Sequence, residues 1–264
     1  MRSPVQICGC AAVAALLATA SSASAQIVPP TVPLAGQPAS GKPSDSSSAS
    51  FGGLFAAAVG DLTRLPSKEN LTWLGIGAAA ALAAHAGDHQ VTTTVTQARS
   101  LGTTFDSGST LGGMPVQFGG AVATFAIGKM TRNAAVTAVG GDLVRAQLVA
   151  QTVSYGLKYT LQRTRPDGTD YSFPSGHAAT SFASATVLQR HFGWKAGIPA
   201  YAVASYVATS RIRDNRHYLS DVVFGAAIGM VAGRTVTIGR GDTRFALTPI
   251  AASSGGGIGF TLVK

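Results

Sequence analysis

The sequence predicts an all-α protein, a bundle of helices followed by a short C-terminal β-hairpin. Three observations lead there. From Phe51 onward, apolar residues recur at near-helical spacing through successive segments. Ala and Gly dominate those segments, and small side chains let neighbouring helices approach closely. The period becomes alternating only at the end, where Phe245, Leu247 and Pro249, then Ile258, Phe260 and Leu262, lie on either side of Ser253 to Gly257.

Along the chain, Phe51, Leu54, Phe55, Val59, Leu62 and Leu65 form the apolar stripe of a first helix ending at Pro66. Its spacing favours packing into the core over lying on a membrane surface. Asn70 to Gly87 is the longest strongly apolar stretch and is just long enough to span a bilayer. Residues 107–128 are uncharged but contain Pro115, several Gly and several hydroxyl side chains. Segments near 134–162, 177–192, 197–211 and 217–233 read as helices, each interrupted by polar or charged residues. The bundle therefore covers 51–238 and the hairpin 239–264.

Composition leaves the surroundings of the bundle open. A chain of 264 residues suffices for one medium domain. Its 46% hydrophobic and 12% charged residues are few charges for a soluble protein and little hydrophobicity for a polytopic membrane protein.

The N-terminus predicts export. Arg2 precedes the apolar run Ala11–Ala20, and Ala23-Ser24-Ala25 forms an A-x-A cleavage site. Residues 1–25 thus read as a signal peptide whose apolar core is too short for a comfortable membrane anchor. Cys8 and Cys10 both lie inside it, so the mature chain carries no thiol or disulfide chemistry. Residues 26–50, rich in Pro, Ser and Gly, bury too little to order themselves and read as a linker. The expected location is the periplasm or cell envelope. A net charge of +9 favours anionic partners, such as phosphate groups or acidic lipid surfaces. Without a basic run or a basic–aromatic stripe, nucleic acid is not expected.

Three segments carry chemistry. In Lys158 to Pro166, Lys158 and Arg165 stand seven apart, a spacing that places both on one helical face. Two cations held together suit a tetrahedral oxyanion. In Phe173-Pro174-Ser175-Gly176-His177, Ser175 can cap the next helix, and Gly176 allows backbone N–H groups close to an anion. His177 then stands in the first turn beside any bound phosphate. In Ser210 to Asp221, Arg211 ends one helix and His217 begins another, with Asp221 four residues on. A carboxylate on one imidazole nitrogen fixes the tautomer and leaves the other free to attack. A cluster at the end of the Ala-rich helix, His85, Asp88 and His89, has metal-like spacing but reads more readily as a polar helix end. Arg213, Asp214 and Arg216 are placed at the site entrance or in solvent, and His191 at a helix-terminal surface.

In combination, Lys-x6-Arg-Pro, Pro-Ser-Gly-His and Ser-Arg-x5-His-x3-Asp resemble the signature of the phosphatidic acid phosphatase type 2 (PAP2) family. That superfamily also holds bacterial acid phosphatases and vanadium haloperoxidases. The resemblance implies a PAP2-type helical bundle and a metal-independent, cofactor-free phosphatase. It implies His217 as nucleophile, Asp221 orienting it and His177 as proton donor. Lys158, Arg165, Arg211, Ser175 and the Gly176 backbone would bind the phosphoryl oxygens, three fixed cations standing in for metal ions. Only Asp167 to Phe173 separate the first two motifs, which implies an open site. The expected substrate is a lipid phosphate or pyrophosphate met at a membrane surface. The alternatives are a soluble periplasmic acid phosphatase on small phosphomonoesters, a vanadate-holding haloperoxidase, and a non-catalytic phosphate or lipid head-group binder.

Overall fold

The computed structural model of the chain describes residues 50–98, 103–238, 244–252 and 255–263. The signal peptide and nearly all of the linker expected from the sequence lie outside the described residues. The helices run α1 Phe51–Arg64, α2 Lys68–His85, α3 Asp88–Gln97, α4 Gly108–Leu111, α5 Met114–Met130, α6 Ala134–Leu161, α7 Gly176–Phe192, α8 Trp194–Arg213 and α9 Leu219–Val236. Arg244–Ala252 and Gly255–Val263 run antiparallel, Arg244 opposite Val263 and Ala252 opposite Gly255.

Local sequence sets these boundaries. Ser67, Asn133 and Ser175 each accept a backbone N–H from the first turn of their helix, satisfying donors that have no intrahelical partner. The uncharged stretch at 107–128 breaks at Gly112-Gly113, and Pro115 enters the first turn of α5, where its missing N–H costs nothing. α6 stops at Gln162, which takes a left-handed conformation (φ 46°) and returns its N–H to the Lys158 carbonyl.

α6 is the central element, packed by α1, α5, α7 and α9. Val144, Ala146, Val149 and Ala150 on α6 meet Ala179, Ala183 and Val187 on α7, all fully buried. α9 lies close against α7 through small residues. A Cβ on Gly229 would stand 2.2 Å from the Ala179 carbonyl, and one on Gly225 2.5 Å from the Ser175 carbonyl. Glycine is thus required for this approach, which lets the Ser175 N–H donate to the Asp221 carbonyl at 2.9 Å. The loop before α7 and the start of α9 are fixed to one another by that contact.

α1 departs from the packing its apolar stripe predicts. Leu54 and Ala58 are buried, but Phe51, Phe55 and Val59 are exposed. The helix is turned so that Asp61 faces inward, where its carboxylate receives two hydrogen bonds from the buried Arg145, at 2.8 and 2.7 Å. An unpaired guanidinium at that depth costs more than three exposed apolar side chains.

Candidate active site

The site forms where the C-terminal end of α6, the N-terminal end of α7 and the α8–α9 junction meet. Lys158, in the last turn of α6, is buried and donates to the carbonyls of Tyr171 at 2.6 Å and Ser172 at 3.3 Å. Tyr171 holds a positive φ of 66°, part of the bend that turns these carbonyls toward the ammonium. Burial and the neighbouring Arg165 lower the Lys158 pKa to about 8.

The shared helical face expected for Lys158 and Arg165 does not form. α6 ends four residues before Arg165, which sits in a tight turn bonded to Thr169 and Gly168. That turn brings Arg165 close enough for its charge to act on Lys158. The position expected for His217 is likewise corrected. It lies two residues before α9, and the Asp221 carboxylate caps the helix by accepting the Tyr218 N–H at 2.9 Å. The His217 Nδ1–Asp221 Oδ2 separation is 3.5 Å, set by this cap rather than by one helical face. Nδ1 has no closer protein partner.

Asp221 is fully buried and densely bonded. It accepts from Ser172 Oγ, from the Tyr218 N–H and, at 2.7 Å, from Arg163. Burial alone would raise its pKa, but bonds from His217, Ser172 and Tyr218 hold it below the ordinary carboxylate value. His217 itself is 3% exposed, and burial, reinforced by the Lys158 and Arg165 charges against the opposing pull of Asp221, lowers its pKa to about 4. His177, in the first turn of α7, is lowered to about 4 by burial and by Arg211 and His217, while the Ser109 backbone pulls the other way. Both imidazoles are therefore neutral near pH 7 in the unliganded site.

Arg211 completes the cationic set. It is buried, holds Asp214 at 2.8 Å, and its carbonyl accepts the N–H groups of Arg216 and His217. The Nε atoms of Arg165 and Arg211 are buried without a protein partner. Ser175 is fully buried; its hydroxyl caps α7 and its N–H is held by Asp221. Gly176, the first residue of α7, is buried as well, and His177 beside it is partly exposed. Arg216 pairs with Asp167 at 2.8 Å, and Arg213, the last residue of α8, with Asp106 at 3.3 Å, so these cations brace neighbouring segments.

Sequence reasoning passes over Arg163 and assigns Asp88 too little. Arg163 reaches Ser220 at 2.8 Å, Asp221 at 2.7 Å and Asp88 at 2.8 Å, with its guanidinium 4.3 Å above the Tyr218 ring. Asp88 also accepts the N–H and hydroxyl of Ser220 and pairs with His85 at 2.8 Å. The His85–Asp88–His89 group thus joins the site through Arg163, while His89 turns edge-on to Tyr218. The available signal was a third cation beside the Lys158–Arg165 pair and an isolated Asp closing an apolar helix. His191, expected at the surface, is instead largely buried and bonds Asp142 at 2.9 Å.

The PAP2 superfamily matches residues 140–244, the span that carries all of these motifs. The lipid A 4'-phosphatase of Helicobacter pylori is 30% identical over 138 residues, 46% of this chain and 70% of that protein. The chain belongs to the PAP2 superfamily. A lipid A 1-phosphatase of Porphyromonas gingivalis is 44% identical over 96 residues, 35% of this chain, and the match spans only 21% of that longer relative. Among solved structures, the transmembrane PAP2-type phosphatidylglycerolphosphate phosphatase of Bacillus subtilis shares the fold. Its TM-score is 0.52 at 19% identity, covering 69% of this chain and 92% of that one. The paired strands at 244–263 lie at and beyond the end of the PAP2 match.

Proposed function

We propose that this PAP2 protein is a phosphoric ester hydrolase that acts on phosphorylated lipids through a phosphohistidine formed on His217. The observation that carries the reading is the charge balance of the site. Lys158, Arg165 and Arg211 surround two neutral imidazoles, and buried guanidinium nitrogens there have no protein acceptor. Such an excess of fixed, desolvated donors suits the equatorial oxygens of a transferring phosphoryl group.

With Nδ1–H directed to Asp221, the lone pair of His217 Nε2 attacks phosphorus in line. The P–O ester bond breaks and His177 gives its proton to the leaving oxygen. Asp221 stabilises the positive charge that forms on the ring. In the second step His177 takes a proton from water, whose oxygen attacks phosphorus and breaks the P–N bond. A bound phosphoryl group, bringing negative charge beside His177, raises its pKa from the unliganded value and so loads the acid. Gly176 and the start of α7 supply N–H groups to the phosphate, and Ser175 holds that loop in place.

A lipid substrate is supported by the named phosphatase relatives and by the surface. Leu71, Ile76 and Leu82 on α2, Ile127 and Met130 on α5, and Trp194 and Ile198 on α8 are exposed. Among the described residues one helix, α9, is long and apolar enough to cross a membrane, and two thirds of it (67%) is buried in the bundle. We place the catalytic unit at 51–238 in the cell envelope, behind an export signal at 1–25 and a linker at 26–50, with residues 239–264 an appended hairpin outside the reaction.

The test is phosphate release by the full chain in excess EDTA, on para-nitrophenyl phosphate, phosphatidic acid and a polyprenyl pyrophosphate. Turnover that survives chelation and favours the lipids is expected. Preference for the small ester would make the protein a soluble-substrate scavenger. Folded protein that releases phosphate from none of them would contradict the reading.

A further inference from the structure

Asp88 lies outside the PAP2 match at 140–244, and the reaction above makes no use of it, yet its carboxylate is bonded as densely as that of Asp221. It opens α3 and is 1% exposed. A carboxylate at that depth persists only where its bonds repay the loss of water. Oδ1 accepts the Ser220 N–H at 2.8 Å. Oδ2 accepts the Ser220 hydroxyl at 2.6 Å and Arg163 Nη2 at 2.8 Å, and the largely exposed His85 stands 2.8 Å from it. Burial alone would raise the Asp88 pKa, but the bonds from Arg163, Ser220 and His85 hold it below the ordinary carboxylate value. Asp88 is therefore charged at neutral pH.

These bonds act on His217 in two ways. The first is position. Ser220 is the second residue of α9, and its N–H is one of the terminal donors that have no partner within a helix. Asp88 takes that donor from α3, while Asp221 takes the Tyr218 N–H from within α9. The start of α9 is thus clamped from two elements, and His217 is attached two residues before it. The second is charge. Arg163 Nη1 bonds Asp221 at 2.7 Å and Nη2 bonds Asp88 at 2.8 Å, so one cation is divided between two carboxylates. Given wholly to Asp221, the guanidinium would neutralise the carboxylate that steadies the His217 ring as it becomes positive. Asp88 draws part of that charge away.

Resting on the phosphatase reading, we infer that Asp88 is a positioning residue of the reaction, fixing the start of α9 from outside and setting how much of its charge Asp221 keeps for His217. The charged and titratable groups around His217 are Asp221, Lys158, Arg165 and His177, and those around Asp88 are Arg163 and His85. Asp88→Asn keeps an acceptor for the Ser220 N–H and removes only the charge.

The test is Asp88→Asn in the full chain, read by kinetics on phosphatidic acid and by NMR titration of the His217 ring, assigned with His217→Ala. kcat is expected to fall by about tenfold or more with KM held, the scale for outer partners of reacting groups. With Arg163 turned wholly on Asp221, the His217 pKa is expected to fall, whereas Arg163→Lys raises it. A merely structural role would not give opposite shifts, because a loosened α9 lets water reach His217 and raises its pKa in both variants. A kcat within about twofold of the unmodified protein, or a His217 pKa that rises or stays, overturns the role. Should Asp88→Asn fail to fold, Asp88→Ser, which also keeps an acceptor without the charge, is read by the same two quantities. Folded protein that releases no phosphate overturns the phosphatase reading instead, and the direction of the His217 shift then decides the role of Asp88 by itself.

Discussion

Two buried networks of charge occupy the same bundle and differ in how completely they are satisfied. In the first, Arg145 on α6 is 1% exposed and meets Asp61 of α1 and Asp142, and Asp142 in turn bonds His191 of α7. In the second, the buried Lys158 and Arg211 and the partly exposed Arg163 and Arg165 stand with Asp88 and Asp221 beside two neutral imidazoles. There the Nε atoms of Arg165 and Arg211 lack protein partners. The first network closes on itself and ties helices together. The second keeps an excess of positive charge and open donors, which is what a site must hold before its anion arrives. Burial of charge by itself therefore does not mark function in this fold; the unmet remainder does.

The largest effect expected at the open network is His217→Ala, a loss of at least about 10⁴-fold in kcat in a stopped phosphate assay, with the melting temperature held. At the closed network the loss moves to stability. Arg145→Met strips the main cationic partner from two buried carboxylates, leaving Asp61 to Arg64 at 3.4 Å and Asp142 to His191, and should cost about 3–5 kcal/mol in denaturant unfolding, while the surviving folded fraction keeps its turnover. A variant of Arg145 that kept full stability would erase the distinction between the networks.

Arg163 sharpens the comparison because it joins Asp88 to Asp221 with separate nitrogens, a fork that lysine cannot reproduce. Arg163→Lys should lower kcat by about 10- to 100-fold with little change in KM, the scale seen when outer partners of reacting groups are removed. The acid limb of its pH profile should also move toward neutrality, because a less neutralised Asp221 holds the proton on His217 more tightly. A rise in KM alone would make Arg163 a substrate contact instead.

The smallest expected effects lie in the pH profile of the unmodified protein. His217 must be neutral to attack, and its pKa is lowered to about 4, so kcat/KM should fall only as the pH drops through that value. Lys158 is lowered to about 8, so the alkaline limb should begin there as its charge is lost. An acid limb at the ordinary imidazole value would mean that His217 is not desolvated as the fold implies.

Most of the helices were legible in the sequence because caps and breakers are local: Ser175, Pro66 and Pro115 each act within a turn of their own position, whereas α3, with no apolar stripe of its own, was not read. The motif residues were legible as residue types at fixed spacings, and the structure brings Lys158, Arg165, His177, Arg211, His217 and Asp221 into one neighbourhood. Their geometry was not, since the αL stop at Gln162 and the capping role of Asp221 replace the helical faces that spacing alone suggests. Nor were Arg163–Asp88, Arg145–Asp61 and His191–Asp142 legible. The last two join separate helices and Arg163 reaches α3 from the loop after α6, and such pairing depends on how the elements are rotated in the bundle, which periodicity does not specify. The outward apolar face of α1 has the same cause, because Asp61 outweighs the stripe beside it.

The central claim is that the open network serves a covalent transfer to His217, and quenching the reaction in alkali with phosphate-labelled substrate tests it most directly. An alkali-stable, acid-labile label is expected on the peptide containing His217 and is expected to be absent from His217→Ala. Continued turnover by His217→Ala, or label on another residue, would contradict it.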